Sequence, residues 1–262
     1  GFDLNQRRAL DLTADAAANG ARLIVLPELC TFAVEEIARD PQQALAQSRV
    51  LEDSLSKLCA ELGVLVAVSL VGQQEGTLHH SGLLLDEHGQ RAGLYHQTHL
   101  TRGTRSWAQP GSDLPVFDTS LGRIGMMLGY DADFPEVATI LAKRGAEVLV
   151  HPTTWNFDWE LRLGMPERAS ENRLNILSAA RWDSPVRRGG LINALPTAST
   201  PLRAADLNPI WPMEAPHDRE LHLRATIDPD RARDKDLLGF DLLRDRRPEL
   251  YSSLTRANRQ RN

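Results

Sequence analysis

The chain has 262 residues, 42% of them hydrophobic and 25% charged, with a formal net charge of −5. That length supports one large domain with a sizeable core, and its interspersed acidic and basic residues argue against a nucleic-acid partner. The longest apolar run, Val64 to Val71, falls far short of the ~20 residues that cross a bilayer, and two cysteines, Cys30 and Cys59, are too few for a disulfide framework and point to a reducing cytoplasm.

Asn5 to Asn19 read as a helix with Leu10, Ala14, Ala17 and Ala18 along one stripe. Arg22 to Pro27 read as a buried parallel strand that ends at Glu28. A carboxylate at the C-terminal end of such a strand faces the crevice where α/β proteins bind ligands, or else caps a loop. Cys30 follows two residues later and reads as a packed thiol or as a substitute nucleophile. Ser48 to Leu62 form a second helix, with Leu51, Leu55, Leu58 and Leu62 on one face and Cys59 in its core. Val64 to Val71, Leu78 to Leu85 and Arg91 to His99 are three strands, joined by turns at Gln74-Glu75-Gly76 and Glu87-His88-Gly89. His96 and His99 are three apart and fall on opposite faces of an extended chain, as do the adjacent His79 and His80. With no Cys/His cluster, a metal site is not expected.

A strand ends at Asp118, Thr119 to Gly122 turn, and Arg123 to Leu128 form a buried strand. Phe134-Pro135-Glu136 then open a helix, with Asp133 as its expected N-cap. Many α/β enzymes hold a nucleophile at such a strand-to-helix elbow, where the helix dipole favours an anion. Here the elbow is Gly129-Tyr130-Asp131. The glycine spacing at Gly122, Gly125 and Gly129 does not suit a dinucleotide fingerprint, and no Gly-x-Ser-x-Gly elbow occurs. No cofactor is expected. Ala146 to His151 form the next strand. Trp155, Phe157 and Trp159 beyond it read either as a pocket wall or as a packed aromatic cluster. A helix over Leu161 to Leu174, a strand over Asn175 to Trp182 and a late strand over Leu221 to Ile227 follow. Pro185 to Pro216, with six prolines, read as a long surface excursion.

The elbow and its Phe-Pro-Glu, Leu-Pro-Glu at Leu26 to Glu28 and Tyr-His-Gln-Thr-His-Leu at Tyr95 to Leu100 appear in one chain. Arg-Gly-Ala-Glu at Arg144, Pro-Glu-Arg-Ala-Ser-Glu-Asn at Pro166 and Arg-Arg-Pro-Glu-Leu-Tyr at Arg246 follow in order. Together these resemble the nitrilase, or carbon–nitrogen hydrolase, superfamily across nearly the whole chain. The resemblance implies a four-layer α-β-β-α sandwich, to which the alternation of strands and helices also points. It implies one nitrilase-like domain over residues 1–262, whose first strand is missing, either as a fragment or as part of a longer polypeptide.

The resembled family attacks a nitrile or amide carbon with a thiolate, using a glutamate as base and a lysine to hold the oxyanion. On this chain the general-base position is Glu28, the lysine position is Gln97, the cysteine position is Gly129, and counting back from Pro110-Gly111 puts Thr104 at the second glutamate. Tyr130, Asp131 and Trp155 are the expected ligand contacts. Glycine supplies no thiolate, and glutamine donates hydrogen bonds without charge. The expected role is therefore a catalytically silent structural, regulatory or ligand-binding domain. It would pair with its own copy or with a second nitrilase-type domain or subunit, and could take a small amide or nitrile-like ligand. The rival is an active C–N hydrolase that uses Cys30, or a water activated by Glu28.

Overall fold

The computed structural model describes residues 1–32, 34–181, 189–195, 213–215, 222–237 and 239–256. Two sheets stack face to face with helices on their outer sides. The first has the order β1-β2-β3-β4, from β1 (Leu23–Val25), β2 (Leu65–Gln74), β3 (Thr77–Leu85) and β4 (Arg91–His96). β1 runs parallel to β2, and the remaining pairs are antiparallel. The second has the order β10-β9-β8-β7-β6-β5. Its strands are β5 (Val116–Thr119), β6 (Gly122–Met126), β7 (Val148–Thr153), β8 (Asn175–Ala180), β9 (Leu191–Asn193) and β10 (Met213–Glu214). β6, β7 and β8 are mutually parallel.

Each sheet buries both faces, so its strands are nearly continuous apolar runs rather than alternating ones. On β2, Val66, Val68 and Leu70 pack outward with Leu51, Leu55 and Cys59 of helix α3 (Pro41–Leu62) and Ala9 and Ala16 of α1 (Phe2–Ala18). Leu65 and Ala67 face inward, where they meet Ile124, Met126, Val148 and Val150 of the second sheet. Gly82 on β3 lets the second sheet approach closely, because a Cβ there would collide with Met126 Sδ. The outer face of the second sheet packs against Val137, Ala138, Leu141 and Ala142 of α4 (Pro135–Lys143) and Ala169 of α5 (Met165–Asn172). This is the expected α-β-β-α sandwich.

Several boundaries differ from the sequence reading. α3 begins at Pro41, seven residues before Ser48, because Asp40 caps it by accepting the Gln43 N–H at 3.0 Å. A short helix, α2 (Val34–Arg39), precedes it and has too few residues for a periodic signal. The helix expected over Leu161 to Leu174 is a π turn at Glu160–Gly164 followed by α5; Gly164 and Pro166 mark the change. Asp133 does not cap α4: Phe134 occupies the cap position and no side chain bonds there. β9 and β10 lie in the stretch read as an excursion, since two- and three-residue strands leave no pattern. Residues 222–227 are not a strand. Trp182, Leu221, most of the stretch from Pro185 to Pro216 and residues 257–262 lie outside the described ones. Among the described residues no helix is long and apolar enough to cross a membrane.

Leu55 is fully buried and Val50, on the same helix, is 51% exposed. Leu55→Ala should cost about 2–5 kcal/mol in urea unfolding, and Val50→Ala less than about 0.5 kcal/mol. Equal losses would mean that α3 presents a different face to the sheet.

Candidate functional site

The crevice lies where β1 and β4 of one sheet meet the end of β6 in the other. Asp131 joins these ends. Its carboxylate is fully buried. Oδ2 accepts from Tyr95 Oη at 2.7 Å and Leu128 N at 3.1 Å; Oδ1 accepts from Thr98 Oγ1 at 3.0 Å and His99 N at 2.9 Å. The His99 ring also lies 3.1 Å away through Nδ1. Burial, and after it the Asp131 charge, push the Tyr95 phenol well above its ordinary pKa, so it remains a donor. Both oxygens of Asp131, expected as a ligand contact, are engaged inside the protein, where they shape the elbow.

Gly129 starts the one-turn 3-10 helix at Gly129–Asp133 and has φ +42°, in the left-handed region that glycine adopts most readily. Its carbonyl lies 3.2 Å from His151 Nε2, while His151 Nδ1 lies 3.1 Å from Ser178 Oγ. A carbonyl only accepts, so Nε2 carries the proton and Nδ1 accepts from the serine. Burial holds His151 down to about 4, hence neutral near pH 7.

Glu28 and Gln97 converge on the same turn. A Cβ at Gly129 would lie 2.5 Å from Glu28 Oε1 and 3.0 Å from its Cδ. Glu28 therefore occupies the space that any side chain at 129 would enter. Burial raises its carboxyl above the ordinary glutamate range; His80, a hydrogen bond from Thr154 and Arg181 oppose this, and Asp131 adds to the rise. Gln97 is buried and donates Nε2–H to Leu128 O at 2.7 Å. Its Oε1 must then face His80, so His80 Nδ1 donates across 2.7 Å. His80 Nδ1 is also 3.8 Å from Glu28 Oε1. Arg181 Nη1 bonds the carbonyls of Leu29 and Phe32, each at 2.8 Å, and so holds the loop beyond Glu28.

Beside the turn is a cavity of about 10 Å³, lined in part by Gly129, Tyr130, Asp133, His151, Trp155 and Glu160. Trp155 is buried and donates its indole N–H to Gly189 O at 2.9 Å, while Tyr130 is 37% exposed at the rim. Phe157 and Trp159 stack on each other at the surface and do not line the cavity, so only Trp155 of the three is a wall. Thr104 bonds to Thr101 at 3.0 Å in a separate turn, and none of its contacts reaches Glu28, Gln97 or Gly129. Cys30 lines a different groove of about 240 Å³ between α1, β1 and β8. Cys59 is buried, and burial pushes its thiol up to about 12, so it stays protonated at neutral pH.

His80, His151 and Glu160 are site residues that the sequence reading did not single out. His151 could have been found by the strand-end rule that picked Glu28, since it lies near the end of β7. His80 is a buried polar residue within an apolar strand. Glu160 is hidden at a helix start. His79 Nδ1 turns to Gln109 O at 2.8 Å, away from the partner of His80, and no group of three or more His, Cys, Asp or Glu among the described residues could hold a metal ion.

A family model described as carbon–nitrogen hydrolase matches residues 2–192. A probable nitrilase of Schizosaccharomyces pombe is 29% identical over 88% of this chain and 85% of its own. A nitrilase of Pyrococcus abyssi is 30% identical over 68% of this chain and 69% of its own. An amidase mutant from Nesterenkonia sp., in complex with butyramide, superposes with a TM-score of 0.62 at 26% identity, over 69% of this chain and 71% of that one. A carbon–nitrogen hydrolase from Helicobacter pylori shares the fold at a TM-score of 0.78 and 21% identity, covering 98% and 94% of the two chains.

The left-handed turn and the Glu28 carboxylate both resist a side chain at 129. Gly129→Ala should therefore cost about 1–2 kcal/mol from backbone conformation alone, plus the displacement of Glu28. In a double-mutant cycle by urea unfolding, Glu28→Ala should recover the second part. Strict additivity would show that the two residues do not compete for space.

Proposed function

The chain belongs to the carbon–nitrogen hydrolase family, and on that premise we propose that it binds a small amide or nitrile-like ligand without thiol-dependent hydrolysis. One observation carries this reading: the space for a side chain on residue 129 is taken by Glu28, 2.5 Å from where the Cβ would stand. Gln97 agrees with it. A lysine there would bring a fixed positive charge, whereas this amide is spent on Leu128 and His80. Removing the nucleophile of a comparable acyl-transfer unit costs on the order of 10⁶ in rate. A fold that has lost its thiol can still hold an amide: the Nesterenkonia protein in complex with butyramide is a cysteine-to-alanine mutant.

A second reading is hydrolysis by a water activated at Glu28. Its support is the raised carboxyl, which brings Glu28 nearer the range of a general base. Cys30 draws no such support, because it faces the groove between α1 and β8, which Glu28 does not line. Ammonia release from butyramide, nitriles and carbamoyl compounds should stay at buffer rates for the natural chain. Turnover abolished by Glu28→Gln would overturn silence and favour the activated water. The paired change Gly129→Cys with Gln97→Lys should gain turnover that depends on Glu28.

Association with another copy, or with a second nitrilase-type domain, belongs to the same proposal. Exposed Phe240, Leu242, Leu250 and Leu254 lie close together in sequence near the end of the chain and support it. Sedimentation should show self-association that weakens when residues 248–262 are removed. A folded monomer at micromolar concentration, indifferent to that removal, would count against self-association.

A further inference from the structure

The groove between α1, β1 and β8 measures about 240 Å³, room for on the order of twenty water-sized groups, and one of its walls is an open sheet edge. β1 stands last in the order of its sheet and has a ladder partner on one side only, β2. Leu65 N donates to Arg22 O and Leu26 N to Ala67 O, each at 2.9 Å, so Arg22, Ile24 and Leu26 turn their backbone groups toward β2. The N–H and C=O groups of Leu23 and Val25 point the other way, and among the described residues they bond to nothing. Both residues line the groove. A row of unpaired backbone groups at a sheet edge is a template for another strand.

The walls beside that edge are apolar. Ala9 and Ala16 of α1 pack with Ile24 and Leu26 on the outer face of the sheet, and Leu177 of β8 packs with Leu23 and Val25 on its inner face. Ala9, Ala16 and Leu177 all line the groove. A strand laid beside β1 would be covered on both faces and so needs apolar residues almost throughout. Residues 222–227 point the same way. They alternate as a strand does and have no ladder partner, and His222, Leu223 and Arg224 line the same groove. The chain holds no spare segment of the required kind. Its runs of four or more apolar residues, Leu23 to Leu26 and Val64 to Val68, are already taken by β1 and β2. Residues 194–212, between β9 and β10, are broken by Pro196, Pro201, Pro209 and Pro212, a composition unsuited to a central strand.

We infer that this groove is a slot for an extended, almost continuously apolar strand of about five residues, presented by a partner polypeptide and paired to β1 through Leu23 and Val25. The open edge supplies the main-chain hydrogen bonds, and the walls select the side chains. The slot lies apart from the crevice at Gly129, and the inference does not depend on what that crevice binds.

Hydrogen exchange of the full chain, read by NMR, tests this with the capped peptide Lys-Val-Ala-Val-Ile-Ala-Lys as the partner strand. The control is a copy with Pro-Pro in place of its central Val-Ile, which lacks an edge N–H whichever way it lies. Without peptide, the Leu23 and Val25 amides should exchange faster than that of Leu26, which bonds β2. With peptide at about ten times its Kd, both should slow by about tenfold. The Pro-Pro copy should bind at least about tenfold more weakly. Val25→Pro removes one N–H from the open edge and no bond to β2, and should weaken the peptide by about tenfold. Should that variant unfold, the Pro-Pro copy keeps the test valid. Binding that leaves Leu23 and Val25 exchanging as before, equal binding of the Pro-Pro copy, or no binding at all would overturn the slot. Slow exchange at both residues without peptide would overturn it as well, and a slowing that grows with protein concentration would give the edge to a second copy of this chain.

Discussion

A buried carboxylate with every lone pair engaged holds the crevice together. Asp131 is fully buried, and an isolated charge at that depth would be prohibitive. Donors from Tyr95, Thr98, His99 and Leu128 surround it. Three of these come from β4 and the chain just after it, and the fourth from the chain just after β6. One side chain thus fixes two sheets to each other at the point where their ends converge. Removing any donor leaves a charge partly unanswered, which costs more than the bond itself was worth.

The geometry at Gly129 follows from that lock. Asp131 closes the turn by taking Leu128 N through its side chain and giving its own N–H to Leu128 O. The turn enters the left-handed region at Gly129, and His151 holds the carbonyl from the other side. Gln97 reaches the same Leu128 carbonyl, and its orientation in turn fixes the proton of His80. The turn, its hydrogen bonds and the Glu28 carboxylate meet here, with a glycine at residue 129. The elbow is held by the Asp131 carboxylate and the packed sheets. Glycine accepts the backbone angle at little cost.

Glu28 has two consequences in one position. Its carboxylate fills the notch left at residue 129, and its charge extends the negative field that Asp133 and Glu160 impose on the neighbouring cavity. The neighbouring cavity is small and is lined in part by Asp133, Glu160 and Trp155.

The sequence by itself determined the layer order, the elbow and three of its members. Continuous apolar strands, a Pro-Glu after a turn and a glutamate at a strand end are local patterns, and Glu28, Gln97 and Gly129 do meet at one crevice. Tertiary structure alone decided what each of them touches. Asp131 reads as a ligand contact because it adjoins the elbow in sequence, yet three of its four donors, Tyr95, Thr98 and His99, are about thirty residues away on or just after β4. Thr104 falls at the count of a family position, but a loop count carries no direction, and its turn bonds to itself. His80 and Glu160 entered the site through contacts between distant segments, which no periodicity records. The physical reason is the same in each case. Backbone pattern is set by local sterics and by which face is buried, whereas the partner of a polar side chain is set by whatever the folded chain brings within about three ångströms of it.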